Sequence, residues 1–210
     1  MKRLFQLTWI VGIVLCLSVP ASAEAVILLR DYSGSTKYSV VDNRPIEGTR
    51  SRGDLMDEVI FKALDILPLD NIWLMPWSEE TYEPIGFIRR PASMANYIQG
   101  KIQAIGGIGS NTSTGKVMNH FLHDLQCKAL IFITEEKPDD YHDFAQILPQ
   151  VLDRQPVTVL VLDYYKRDAV MQFFKGLADR PNYRVLPLTV KNLVSVVPVM
   201  MKETSACNLW

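Results

Sequence analysis

AVILLRDYSGS, residues 25–35, is an unbroken apolar run that ends in a polar turn. Its first part, residues 25–30, is rich in β-branched and aliphatic side chains, which is typical of a strand covered on both faces. Strands of this kind belong to parallel sheets, whose neighbouring strands are joined by helices. The segment therefore predicts an α/β fold, with a buried strand at 25–30 and polar residues at its carboxyl end.

Outward from this segment, apolar runs alternate with segments of helical periodicity. The predicted strands are 25–30, 72–77, a poorly marked 87–89, 129–134, 157–162 and 183–186. The predicted helices are 54–67, with Asp54 as N-cap, then 93–105, 115–125, 140–152, 168–178 and 190–201. This order predicts a three-layer, doubly wound, mostly parallel sheet of Rossmann-like type, in which ligands gather at the carboxyl ends of the strands near the reversal of strand order.

The first 23 residues have the pattern of a cleavable export signal. Lys2 and Arg3 precede an apolar stretch at 4–19, and Ala21-Ser22-Ala23 supplies the small residues that a signal peptidase reads. The alternative is a retained membrane anchor, for which the apolar stretch is short and interrupted by polar residues. Cleavage leaves 187 of the 210 residues, which suits a single domain at 24–210.

The charge balance of the processed chain excludes some classes of partner. Twenty basic and 23 acidic residues remain, a net charge of −3, because the signal carries two basic residues and no acidic ones. Such a balance favours neither nucleic acid nor an anionic membrane surface. No later apolar run is long enough to cross a bilayer, so no stable membrane span is expected after cleavage.

Oxygen-bearing side chains follow three of the predicted elements. They are Asp31, Ser33 and Ser35 after the first strand, the hydroxyl-rich segment 106–115 after the second helix, and Glu135 and Glu136 after strand 129–134. Mg²⁺ and Mn²⁺ prefer such ligands in an octahedral shell that often keeps waters. Any single one of these turns is also explained by ordinary turn formation. Their order along the chain favours a shared cation site.

The same three segments resemble the metal-ion-dependent adhesion site of von Willebrand A (vWA) domains. Asp31-x-Ser33-x-Ser35 is similar to the first loop of that site. Gly106-Gly107 followed by Thr112-Ser113-Thr114-Gly115-Lys116 is similar to the second loop, with three or four inserted residues after the glycines. The resemblance covers nearly all of the processed chain. It implies Mg²⁺, or Mn²⁺ or Ca²⁺, held by Asp31, Ser33, Ser35, Thr112 and Glu135.

The third loop departs from the family. Thr134-Glu135-Glu136 stands where vWA domains usually have Thr-Asp-Gly. The extra methylene moves the carboxylate by about one C–C bond, and octahedral Mg²⁺ tolerates little error in ligand position. In the family this acid often acts through water, so the longer Glu135 could reach the metal without one. Two alternatives therefore stay open, an altered metal site and a site that has lost its metal.

The resemblance implies a binding module, and the export signal predicts a location in the periplasm or outside the cell. Its cation would capture a protein partner that supplies an acidic side chain. The alternative is a metal-free structural component of an envelope secretion, pilus or conjugation assembly. An enzyme is not expected, because a metal-assisted hydrolase would need a general base beyond the acids already assigned.

Two cysteines, Cys127 and Cys207, remain after cleavage. In an oxidising compartment an even pair is compatible with a disulfide, although two unrelated thiols would give the same count. In the fold that the resemblance implies, both would lie at the face opposite the cation site. Closing a loop of about 80 residues would contribute roughly 4 kcal/mol in the chain-entropy description.

Overall fold

The computed structural model describes residues 25–37, 51–105, 109, 111–123, 128–164 and 166–207, with 205–207 described for the backbone alone. The strands are β1 Ala25–Asp31, β2 Ile72–Trp77, β3 Ile85–Gly86, β4 Lys128–Thr134, β5 Val157–Val161 and β6 Tyr183–Pro187. A short 3₁₀ helix spans Gly34–Lys37. The α-helices are α1 Arg52–Ile66, α2 Met94–Ile105, α3 Thr114–Leu122, α4 Tyr141–Leu152, α5 Arg167–Lys175 and α6 Val190–Cys207.

The strands form one sheet in the order β3-β2-β1-β4-β5-β6. All neighbouring pairs are parallel except β2 and β3, which are antiparallel. The chain moves from β1 to one edge and then returns to β4 to build the other half. Strand order therefore reverses between β1 and β4, and the carboxyl ends of these two strands flank the crevice where ligands bind in such sheets.

Helices cover both faces of the sheet, and the alternating residues of β1 belong to two separate cores. Val26 and Leu28 pack with side chains of α1, α2 and α6. Ile27 and Leu29 pack with side chains of α3, α4 and α5. This arrangement explains why the run at 25–30 contains no polar alternation, since neither face of the strand meets solvent.

Helix α1 begins earlier than the sequence predicts. Ser51 is its N-cap, and the side chain of Ser51 accepts a hydrogen bond from the Asp54 amide at 3.1 Å. The Asp54 carboxylate accepts one in return from the Ser51 amide at 2.8 Å. The prediction of Asp54 as N-cap is therefore wrong, because Asp54 occupies the third helical position of a capping box.

The third strand also differs from the prediction. The structure places it at Ile85–Gly86, where Gly86 pairs with Trp73, and residues 87–89 are not a strand. Phe87 turns into the core while Ile88 is fully exposed. The indole of Trp73 lies so close to Gly86 that a Cβ there would approach it within 2.4 Å, so a larger residue would require the indole to shift.

Several predictions fall on parts of the chain that the structure does not describe. The predicted signal at residues 1–23, Cys127 and the Cys207 side chain all lie outside the described residues, so the signal and the disulfide stay predictions. Within the described residues, no helix combines the length and the hydrophobicity needed to span a membrane.

Candidate cation site

The predicted site lies at the carboxyl ends of β1 and β4, where strand order reverses. Asp31 is the last residue of β1, and Thr134 is the last residue of β4. The Thr134 hydroxyl donates a hydrogen bond to Asp31 Oδ2 at 2.9 Å, which joins the two strand ends directly. Both side chains are buried, so this bond forms away from water.

The turn after β1 folds its hydroxyls back over Asp31. The Ser33 amide donates to Asp31 Oδ1 at 2.8 Å, and the Ser33 and Ser35 hydroxyl oxygens are 3.0 Å apart. The turn is held by Thr36, whose hydroxyl donates to the Ser33 carbonyl at 2.7 Å. The 3₁₀ helix thus places three predicted ligands, Asp31, Ser33 and Ser35, side by side.

Ser35 connects this turn to both glutamates of the β4 loop. Its hydroxyl oxygen lies 2.6 Å from Glu135 Oε1 and 2.5 Å from Glu136 Oε1. A serine hydroxyl has one proton and can donate to only one of these oxygens at a time. The two glutamates therefore compete for the same Ser35 hydroxyl proton.

Thr112 completes the group from the loop before α3. Its hydroxyl donates to Glu136 Oε1 at 2.7 Å. Its backbone is fixed by Asp139, whose carboxylate accepts from the Thr112 amide at 2.7 Å and whose amide donates to the Thr112 carbonyl at 2.8 Å. The next residue, Ser113, donates its amide to the Ser78 carbonyl after β2 at 3.0 Å. Two other loops, the one after β4 and the one after β2, therefore hold the Thr112 loop at this end of the sheet.

The helix after this loop is capped from outside its own segment. The Asp140 carboxylate accepts from the amides of Gly115 and Lys116 at 3.0 and 2.8 Å. A carboxylate at a helix N-terminus satisfies free amides and complements the helix dipole. The β4–α4 loop thus positions both Thr112 and the start of α3.

Two acidic side chains are buried in the site. Asp31 and Glu135 are fully buried. Burial raises the pKa of Asp31 to about 6. Burial, reinforced by the nearby Asp31, raises the pKa of Glu135 to about 8. The adjacent Arg30, whose guanidinium pairs with Asp57 at 2.8 Å, partly offsets the rise in both pKa values.

An unsatisfied oxygen fits the presence of a cation at these residues. Glu135 Oε2 is buried and has no hydrogen-bond partner, and such an atom carries a cost unless a proton or an ion lies against it. Across the described part of the chain, no three Asp, Glu, His or Cys side chains form a group able to hold a metal. Hydroxyl oxygens of Ser33, Ser35 and Thr112 would therefore have to supply part of the shell.

Asp31, Ser33, Ser35, Thr112 and Glu135, which were predicted to share one site, lie in one hydrogen-bonded group, which Thr112 joins through Glu136. Their role as metal ligands stays a prediction. Thr134, Glu136 and Asp139 also belong to the group. The sequence indicates that Glu136 lies near the site, because it follows Glu135 in the same turn. Its contact with Thr112 depends on the geometry of the loop.

Comparison with solved structures identifies the fold. A von Willebrand factor type A protein from Catenulispora acidiphila superposes with a TM-score of 0.53 at 15% identity, over 87% of this chain and 43% of that one. An aerotolerance-related membrane protein from Bacteroides fragilis gives 0.52 at 15% identity, over 87% and 99%. The PilB minor pilin from Streptococcus sanguinis gives 0.50 at 13% identity, over 91% and 64%.

These similarities establish the architecture. The chain has the α/β fold of vWA domains, and the predicted fold class is confirmed. No protein-family model matches the chain, and no curated protein matches it in sequence. At 13–15% identity these likenesses show the fold alone.

Proposed function

We propose that the chain is an exported binding module that captures a protein partner through a divalent cation. The cation, Mg²⁺ or a relative of it, would be held by Asp31, Ser33, Ser35, Thr112 and Glu135. The observation that supports this most directly is the buried, unpartnered Glu135 Oε2 within a group of oxygens supplied by separate loops. Hard cations prefer such oxygen ligands.

The charge of the group explains why a partner would supply an acid. In the proposed site Asp31 is the only carboxylate bound directly to the divalent cation, and the buried Glu135 acts through water. The hydroxyl ligands then hold the ion without neutralising it. In a buried setting a cation's attraction for an anionic oxygen is much stronger than in water. An aspartate or glutamate from a partner would bind the cation through its carboxylate, while the residues of this chain hold and orient the ion.

The proposed location is the cell envelope or the exterior. The sequence pattern at residues 1–23 supports export. Two of the solved neighbours are described as an aerotolerance-related membrane protein and a minor pilin, and a similar setting is proposed for this chain.

Cation binding is tested by titrating the purified protein with Mg²⁺, Mn²⁺ and Ca²⁺ in a calorimeter and following the melting temperature. We expect heat and thermal stabilisation for the wild type and neither for Asp31→Asn. Asp70→Ala removes an exposed acid at the amino end of β2 and should behave as the wild type. Saturable binding that is equal in wild type and Asp31→Asn would exclude the proposed site.

A metal-free structural component is the second candidate, and one observation favours it. Glu136 already satisfies the Thr112 and Ser35 hydroxyls from within the chain. In this candidate the Glu136 carboxylate closes the site, and the group joins three loops without binding an ion. The absence of heat and of any thermal shift with all three cations would favour this candidate.

A further inference from the structure

The side chain of Glu136 occupies the part of the site that an incoming acid would need. Its Oε1 atom lies 2.7 Å from Thr112 Oγ1 and 2.5 Å from Ser35 Oγ. These are two of the three hydroxyls assigned to the proposed cation. A partner's carboxylate that binds a cation held by these hydroxyls would need the same place, so both acids cannot hold this position together.

Glu136 is also placed to move. Asp31, Ser33, Thr112 and Glu135 are buried, whereas Glu136 is partly exposed. The basic residue that follows it, Lys137, packs its ammonium over the Phe173 ring at 5.1 Å from the centroid. The Glu136 backbone stays anchored through its amide, which donates to Thr134 Oγ1 at 3.3 Å. Rotation of the side chain toward solvent would therefore free the hydroxyls without moving the loop.

We propose that Glu136 is an acid supplied by the chain itself, which closes the cation site until a partner's carboxylate displaces it. This inference rests on the proposed function and assigns Glu136 the role of a specificity-determining residue. A partner would have to compete with a carboxylate that is already in place, so weak or poorly oriented acids would be rejected. If the open state is populated about one time in ten, the apparent affinity for a partner's acid is about tenfold weaker than its intrinsic value.

The test uses Mn²⁺ as the ion and acetate as the competing acid. Water-proton relaxation reports how many exchangeable waters remain on protein-bound Mn²⁺. We compare wild type with Glu136→Gln, which keeps the size and removes the charge. Glu83→Gln makes the same change at an exposed residue near the edge strand β3 and serves as the matched control.

We expect Glu136→Gln to raise the relaxation enhancement of bound Mn²⁺, because water replaces the departing carboxylate. Acetate should then lower that enhancement at about tenfold lower concentration than in the wild type, while Glu83→Gln matches the wild type. Equal acetate dependence in wild type and Glu136→Gln would overturn the inference and leave cation binding intact. Complete loss of Mn²⁺ binding in Glu136→Gln would also overturn it, since Glu136 would then be a required ligand. No Mn²⁺ binding by either protein would overturn the proposed function itself.

Discussion

Replacement of Glu135 by glutamine should stabilise the protein when divalent cations are absent. Glutamine keeps the shape of the side chain and removes a carboxyl group that is fully buried, with one oxygen unpartnered. In chelator, the wild-type protein must hold a proton on Glu135 in the folded state, whereas the unfolded chain releases it at neutral pH. Glutamine has no proton to hold, so this cost disappears.

The magnitude follows from the pKa of Glu135, which burial raises from 4.5 to about 8. Each pH unit is worth about 1.4 kcal/mol, so between pH 4.5 and pH 7 the wild type loses about 3 kcal/mol of unfolding free energy. The sign is set by the raised pKa. The stability that the protonated Glu135 contributes is fully present below the unfolded-state pKa of 4.5, and it is lost as the pH rises through about 8. Asp31, with a pKa raised to about 6, adds a loss of the same sign at lower pH.

The assay is urea unfolding of both proteins at pH 5 and pH 7.5, in EDTA and in Mg²⁺. In EDTA we expect the variant to exceed the wild type by about 4 kcal/mol at pH 7.5 and by less than about 1 kcal/mol at pH 5. In Mg²⁺ the wild type should recover, because the ion replaces the proton, and the variant should not respond. Equal unfolding free energies for the two proteins in EDTA at both pH values would refute the reasoning.

Three further substitutions test how the site is supported. Asp57→Ala should lower the unfolding free energy by about 3 kcal/mol in urea melts, since it leaves the buried Arg30 guanidinium without its carboxylate; an unchanged midpoint would contradict this. Asp140→Ala should cost about 1 kcal/mol by removing the cap of α3, and a melting temperature equal to wild type would count against the cap. Gly115→Ala should cost about 1–3 kcal/mol, because its Cβ would lie 2.6 Å from the Phe144 amide nitrogen; full stability would mean that α4 shifts freely.

The central strand was predictable from sequence because its environment leaves a direct pattern. Residues 25–30 carry no polar alternation, and in the structure helices cover both faces of β1. Hydrophobic patterning reports burial, so strands at the centre of the sheet and the helices between them were predicted well. The edge strand Ile85–Gly86 was missed because two residues are too few to show any period.

The residues of the site were predictable from the sequence, but the hydrogen bonds between them were not. The position of Asp31, Ser33 and Ser35 follows from the turn after β1, which the sequence marks clearly. The Glu136 side chain turns toward Thr112 because of the path of the β4–α4 loop. Asp139 fixes this path through its hydrogen bond with Thr112, which lies 27 residues away in the chain. Spacing along a sequence does not determine such long-range bonds. The N-cap was misassigned because Ser51 and Asp54 are both good capping residues, and their mutual bonds decide which one plays the part.

The fully buried indole of Trp77 can serve as an intrinsic fluorescence probe of the site. Trp77 ends β2, its carbonyl accepts a hydrogen bond from the Tyr32 amide in the turn after β1, and its ring meets Phe132 edge-on at 6.1 Å. Trp73, at the other end of the same strand, is 40% exposed. Iodide should therefore quench Trp73 and spare Trp77, so the shielded emission can report rearrangement of the Asp31 turn in real time, without any attached dye.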